Sequence, residues 1–300
     1  MVAEVVEQLA PSGGGFYVDC TVGLGGHARA LLEAGASYVL GIDRDPAAVQ
    51  AAAAALSPFG DRAAVVHRDY RQLADVLEQR RVQAVDGVLV DLGVSSMQLD
   101  SDRGFSFRRD EPLDMRMDTT TGDTAAQALA AVDEKALADV IYEFGEERHS
   151  RRVARAIVTA RAVAPIVTTG QLAQIVRRAV PHKGYSRIDP ATRTFQAIRI
   201  WVNRELDNLD RFLVSAAGRL RPGGRLAVIS FHSLEDRIVK HTFRSLQAAE
   251  GATLSVVTKR PIAPTAGEID RNPRARSAKL RVARQAASDD GGSRETEQAS

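Results

Sequence analysis

An apolar strand that empties into a glycine-rich turn constrains this chain more than any other feature. Residues 16–20 (FYVDC) are apolar enough for a buried parallel strand, Gly23, Gly25 and Gly26 follow, and residues 27–34 read as a helix. Glycine at such a turn admits positive φ and lets backbone approach a ligand closely. A second apolar run, 38–42, ends at Asp43, whose carboxylate can accept both hydroxyl hydrogens of a ribose. Ligands of parallel sheets sit beyond the carboxyl ends of the strands, where the chain turns into a helix. The two strand ends therefore offer a turn for one end of a nucleoside and a carboxylate for its sugar. In G-L-G-G the third glycine of the dinucleotide pattern G-x-G-x-x-G is missing, with Arg29 or a neighbour in its place. That favours S-adenosylmethionine over a nicotinamide dinucleotide, although on the loop alone a dinucleotide enzyme and a plain structural turn both stay open.

Strand and helix patterns alternate through the first hundred residues. Strands are expected at 16–20, 38–42, 63–67 and 87–92, and helices at 28–34, 46–56 and 70–80, with Asp45 as N-cap and Pro46 in the first turn. This alternation predicts an α/β fold, a doubly wound, Rossmann-like parallel sheet with helices on both faces. From 107 to 203 only helical periodicity is visible, broken by Pro165, Pro181 and Pro190. A helix over 204–220, a Pro222-Gly223-Gly224 turn and a strand over 225–231 then resume the α/β pattern. The expected organisation is a discontinuous domain of residues 1–106 and 204–285, an all-helical insertion of 107–203, and a polar, disordered tail of 286–300.

The overall charge of +2 carries little information, but its distribution is uneven. Between Gly145 and Arg204 twelve Lys or Arg face three acidic residues, and from Lys259 to Arg284 eight face two. Two basic regions flanking a cofactor domain imply a nucleic-acid substrate held by its phosphates, while a solvated helix face explains any single arginine equally well. The lone Cys20 excludes an internal disulfide and a cysteine metal cluster. No apolar run reaches membrane-spanning length, and MVAEVVEQLAP lacks the basic flank of a signal peptide, so a soluble, cytoplasmic protein without membrane contact is expected. His67, His149, His182 and His241 have no spacing that indicates a metal site, and none is expected.

Three stretches are too specific for scaffolding: DLGVSSMQLD (91–100) after the fourth strand, SFHSLEDR (230–237) after the fifth, and PATRTFQAIRIWVN (190–203) between them. With VGLGGH, RGFSF, PLDMRMD, GEERHSRRVARAIV, PGGRLAVISFHSLEDRIVK and NPRARSAKLR they resemble the RsmH (MraW) family, along nearly the whole chain. The resemblance implies a class I S-adenosylmethionine-dependent methyltransferase acting on the N4 amine of a cytosine in the decoding centre, the P-site region, of 16S rRNA in the small (30S) ribosomal subunit. It also implies a cofactor site of Gly25, Gly26, His27, Asp43, Tyr70, Asp91 and Gln98, with Tyr70 against the adenine and Asp91 and Gln98 around the methionine moiety. The family's short His- and Pro-containing segment is not found ahead of MVAEVVEQLAP, and weaker cofactor binding is expected if that segment closes over the site. Asp189 stands where many members have His, which speaks against a general base there.

An exocyclic cytosine amine is a poor nucleophile, so catalysis requires in-line positioning and an acceptor for the amine hydrogens. Amino-methyltransferases commonly follow the fourth strand with an Asp, Asn or Ser and Pro-Pro-aromatic; Asp91 is present and Pro-Pro-aromatic is not. The expected catalytic set is Asp91, Ser95 and Ser96 with His232 and Ser233 facing across, and Phe105, Phe107 or Phe231 stacking on a flipped base. Arg193, Gln196, Arg199 and Phe107 are expected to contact RNA if the helix of 190–203 turns its polar side to the substrate. A non-catalytic ribosome-assembly factor and a nicotinamide oxidoreductase are the competing readings. The oligomeric state, monomer or homodimer, is left open.

Overall fold

The computed structural model describes residues 1–181, 189–250 and 253–286. In chain order the helices are α1 (Val2–Leu9), α2 (Gly26–Glu33), α3 (Pro46–Leu56), α4 (Leu73–Gln79), α5 (Ser96–Asp100), α6 (Ala125–Ala131), α7 (Glu134–Gly145), α8 (Ser150–Val163), α9 (Thr169–Ala179), α10 (Ala191–Asn203), α11 (Leu209–Gly218), α12 (Ser233–Ala248) and α13 (Ala266–Arg271). The strands are β1 (Phe16–Asp19), β2 (Tyr38–Asp43), β3 (Ala63–His67), β4 (Val85–Asp91), β5 (Leu220–Ser230), β6 (Leu254–Val256) and β7 (Lys279–Gln285). Their order in the single sheet is β3-β2-β1-β4-β5-β7-β6. β1 to β5 run parallel, whereas β7 lies antiparallel to β5 and β6 antiparallel to β7.

The period of two along each strand sends alternate side chains to opposite faces. Val18, Leu40, Val88 and Val90 meet Phe212, Leu213 and Phe243 on one side, while Tyr17, Val39 and Leu89 meet Leu31 and Leu56 on the other. A third core, containing Leu129, Leu137, Ile141, Val153, Ile157, Leu172, Val176, Phe195 and Ile198, is shared by helices α6 to α10. The strand order reverses between β1 and β4, and the crevice at that point, beyond the carboxyl ends of the strands, is where such sheets bind ligands.

Local chemistry accounts for the element ends. Asp45 caps α3 by accepting from the Ala47 amide at 3.1 Å, with Pro46 in the first turn as expected. Ser95 and Gln98 form a reciprocal capping box on α5, as do Thr168 and Gln171 on α9.

Three expectations change. The helix expected over 204–220 begins only at Leu209, because residues 204–208 turn, with Arg204 and Asn208 in the left-handed region. Pro222-Gly223-Gly224 is a bulge inside β5: the register passes from Val85 opposite Leu220 to Gly87 opposite Arg225. The C-terminal basic segment contains β7, whose Leu280, Val282 and Ala283 are buried and whose Arg281 is paired with Asp236 at 2.7 Å. Apart from Ala286, the expected tail lies outside the described residues, as does His182. Among the described residues no helix is long and apolar enough to cross a membrane.

Candidate active site

The turn after β1 is held by the carboxylate that ends β2. Asp43 Oδ2 accepts from the Gly23 amide at 2.9 Å and Oδ1 from the Asp45 amide at 2.9 Å. Each oxygen keeps a lone pair for an outside donor. Burial raises the Asp43 pKa above the usual carboxylate range in spite of these amides. Gly25, at φ 82°, ends the turn and begins α2, a conformation that L side chains rarely adopt.

Behind the turn stand Asp19, His27 and Asp91. Asp19 is 1% exposed, and burial pushes its pKa up to about 7. Its Oδ1 accepts from the Thr21 amide at 3.2 Å, and Thr21 Oγ1 accepts from the Asp91 amide at 2.7 Å, tying the ends of β1 and β4 together. His27 Nε2 lies 3.6 Å from Asp91 Oδ2. Burial works against a charged imidazole, but Asp91, with Asp19, holds the His27 pKa above the ordinary histidine range. Asp19 Oδ2, His27 Nδ1 and Asp91 Oδ1 are buried without a hydrogen-bond partner. Unpaired buried polar atoms are costly, and three in one place mark a surface built for a polar ligand. Two acceptors and an imidazole nitrogen beside the start of α2, which no side chain caps, fit the ammonium and carboxylate of an amino-acid moiety, and Asp43 fits a ribose. The residues therefore suit S-adenosylmethionine.

The remaining expected cofactor residues are arranged differently from one another. Gly26 opens α2 beside Gly25. Tyr70 packs edge-on against Phe212, with ring centroids 4.7 Å apart, and its hydroxyl donates to the Glu205 carbonyl at 3.3 Å. Burial raises its pKa well above the usual phenol range. Gln98 is 4% exposed; its amide oxygen accepts from the Ser95 backbone and its Nε2 donates to Asp45 Oδ2 at 3.0 Å. Gln98 thus reaches the cofactor turn through Asp45, which also accepts from Arg103 at 2.5 Å. Asp45, Arg103 and Asp19 had no signal as site residues in the sequence; only the Ser-x-x-Gln spacing hinted that Ser95 and Gln98 work together.

The expected catalytic set is brought to one end of the sheet, since Asp91 pairs with Ile229 and the Leu92 amide donates to the Ile229 carbonyl at 2.9 Å. Within it most polar groups are already engaged. Ser95 caps α5, and Ser96 is exposed at its start. His232 caps α12: Nδ1 accepts from the Glu235 amide at 3.4 Å, and Nε2 lies 3.1 Å from Glu235 Oε1. Ser233 Oγ donates to Glu146 Oε2 at 2.8 Å. Phe231 packs toward Gly93 of the loop after β4, and Phe105 is buried.

The expectation of a substrate-facing polar side on α10 requires correction. Arg199 turns inward and makes two 2.8 Å bonds to Glu205. Phe107 packs on Phe195 at 4.7 Å, with the Arg177 guanidinium over its ring. Gln196 donates to the Phe144 carbonyl at 3.2 Å, so of the four only Arg193, near Glu147, is substantially exposed. Asp189 binds Arg177 and accepts from the Ala191 amide at 2.8 Å, which makes it a start signal for α10. Glu205, His232 and Glu235 bring three ligand-type atoms within 4.8 Å of one another, and the Arg199 guanidinium supplies a cation to this cluster. Burial disfavours the Glu235 charge, yet His232 and Arg199 hold its pKa below the usual range.

A sheet of this order with β7 reversed, a glycine turn after β1 and a carboxylate ending β2 define a class I S-adenosylmethionine-dependent methyltransferase. The chain belongs to the MraW methylase family, whose family model matches residues 1–286. It is 51% identical over 305 residues to the ribosomal RNA small subunit methyltransferase H of Nitrobacter winogradskyi, covering 96% of this chain and 91% of that one. It is 47% identical over 302 residues to the protein of the same name from Geotalea uraniireducens, covering 94% and 96%.

Proposed function

We propose that this methyltransferase modifies the N4 amine of a cytosine in the decoding centre of 16S rRNA, acting on the small ribosomal subunit in the cytoplasm. The observation that carries the chemistry is the unpartnered trio of Asp19 Oδ2, His27 Nδ1 and Asp91 Oδ1 at the ends of β1 and β4. The relatives' name supports small-subunit rRNA as the substrate class. Gly25, Gly26, His27, Asp43 and Asp91 would hold S-adenosylmethionine, with Gln98 and Tyr70 bracing the walls around it. When bound, that cofactor supplies a methyl group activated by a sulfonium. Asp91 Oδ1, whose second lone pair is free beside the cofactor's ammonium, accepts a hydrogen of the exocyclic amine, which favours a pyramidal nitrogen, and takes up the proton that nitrogen must lose. His27 steadies the Asp91 carboxylate from its other oxygen. His232 and Ser233 shape the opposite wall through Glu235 and Glu146.

Small subunits purified from cells lacking this modification, incubated with the protein and labelled S-adenosylmethionine, should yield N4-methylcytidine after nuclease digestion. An Asp43→Ala variant should lose cofactor binding by titration calorimetry and product together. Subunit binding without any methylated cytidine would favour the assembly-factor reading and overturn this one.

A further inference from the structure

The motif GEERHSRRVARAIV forms the elbow between α7 and α8, and the chemistry at Asp91 leaves it unused. The buried residues of α8, Ser150, Val153, Ala154 and Ile157, face the third core, which turns Arg151, Arg152 and Arg155 to solvent. Arg155 is paired with Glu134 at 3.2 Å. Arg148, Arg151 and Arg152 are exposed, and among the described residues none pairs with a carboxylate. Of the acids of residues 143–147, Glu147 is buried, Glu146 is taken by Ser233 and Arg237, and Glu143 is exposed on α7. Three exposed cations without carboxylate partners raise the positive potential at this corner, which suits a polyanion. On the last turn of α7 Tyr142 stands 62% exposed, a large aromatic ring open to solvent.

The elbow also has the right position. Glu146, its first residue after α7, bonds Ser233 at 2.8 Å, and Ser233 follows the end of β5, the strand paired with β4 at Asp91. We propose that this elbow is the docking surface for a single-stranded RNA segment flanking the target base, with Arg148, Arg151 and Arg152 on consecutive phosphates and Tyr142 stacked on an unpaired base. The assignment rests on the rRNA-methylation reading and supplies what the inward-turned Arg199 and Phe107 do not. Guanidinium groups on phosphate and a ring on a base are the recurring chemistry of single-strand recognition.

The test measures binding to a protein-free single-stranded fragment of small-subunit rRNA across a salt series. Each phosphate contact on a single strand contributes about 0.7 to the slope of log K against log salt, so the variant Arg148→Gln/Arg151→Gln/Arg152→Gln should lose about 2 from the slope and bind at least about tenfold more weakly. The variant Arg80→Gln/Arg211→Gln/Arg244→Gln, which removes three exposed cations outside both basic regions, should keep the wild-type slope. Tyr142→Leu should weaken binding about fivefold or more at unchanged slope, and Tyr142→Phe should bind like the wild type. Thermal melting and S-adenosylmethionine titration of every variant report an intact fold and cofactor site. Unchanged slope and affinity in the elbow variant, or a wild type that binds no fragment, overturn the proposal while the methylation reading stands; that reading fails separately, if small subunits yield no N4-methylcytidine. Methylation lost only on assembled subunits, with fragment binding unchanged, assigns the elbow to a protein partner and also overturns it.

Discussion

His27 Nε2 lies 3.6 Å from Asp91 Oδ2, joining the first turn of α2 to the end of β4 across the cofactor turn. Burial alone would push the imidazole toward its neutral form, and Asp91 reverses that direction. Asp91→Asn should therefore lower the His27 pKa below its wild-type value in an NMR titration of the cofactor-free protein. A histidine that titrates unchanged in the variant would show that Asp91 does not act on it.

Asp19 contributes one part of the pH dependence of stability. Its folded pKa, about 7, lies above the ordinary carboxylate value, so the folded state holds this proton more tightly than the unfolded chain. The stabilisation is complete below the unfolded pKa near 4, declines as pH rises, and is gone above about 7. His27, also raised, declines in the same direction. Melting temperatures of the wild type should fall relative to Asp19→Asn between pH 5 and 7, and the difference should level off above that. A constant difference across this range would contradict the buried, proton-holding Asp19.

Gly25→Ala isolates the backbone of the turn. A Cβ there meets nothing closer than Leu56 Cγ at 3.5 Å, so the penalty comes from φ 82° and not from collision. The left-handed conformation should cost about 1–2 kcal/mol in stability. Relaxation of the turn to avoid that strain should reduce S-adenosylmethionine affinity tenfold or more, measured by calorimetry. Wild-type affinity with reduced stability would separate the turn's shape from cofactor binding.

Arg199 is a structural cation. Removing it in Arg199→Met leaves Glu205 buried without its counter-charge and Glu235 with His232 alone, a loss of about 3–5 kcal/mol by chemical denaturation. Arg199→Met/Glu205→Leu should recover a large part of that loss, because the stranded carboxylate is gone. If Arg199 served RNA instead, the single variant would fold with wild-type stability and bind RNA poorly.

Ser233 separates a wall contact from a catalytic one. Its hydroxyl bonds Glu146, which together with Arg237 lowers the Glu146 pKa, and both charged partners are half-exposed. A latch of this kind contributes about 0–1 kcal/mol, so Ser233→Ala should keep both stability and kcat within about threefold. A hundredfold fall in kcat with unchanged melting would assign the hydroxyl to the reacting amine.

Signals that span only a few residues were readable without the fold. The strand-turn-helix at 16–34, Asp43 at its strand end, the Asp45-Pro46 start of α3 and the five parallel strands all depend on local period, glycine conformation or capping. β7 escaped because KLRVARQ alternates Lys279 and Arg281 with buried Leu280 and Val282, and its basic side is neutralised by Asp236 from α12. The same run reads as a solvated basic face when Asp236 is out of view.

Residues 91–100 and 230–237 announced a site by composition, but tertiary structure decided what each polar group does. His232 and Ser95 are caps, Gln98 braces Asp45, and Arg199 serves Glu205 and not the solvent. Helix starts and strand ends are set by neighbours within about four residues, so the sequence determined the framework and the position of the cofactor turn. A charged side chain instead takes whichever counter-charge the fold delivers, and burial raises the energy of leaving it unpaired. Those partners come from distant segments, as Asp236 does for Arg281 and Asp91 for His27, so only the packed fold could assign them.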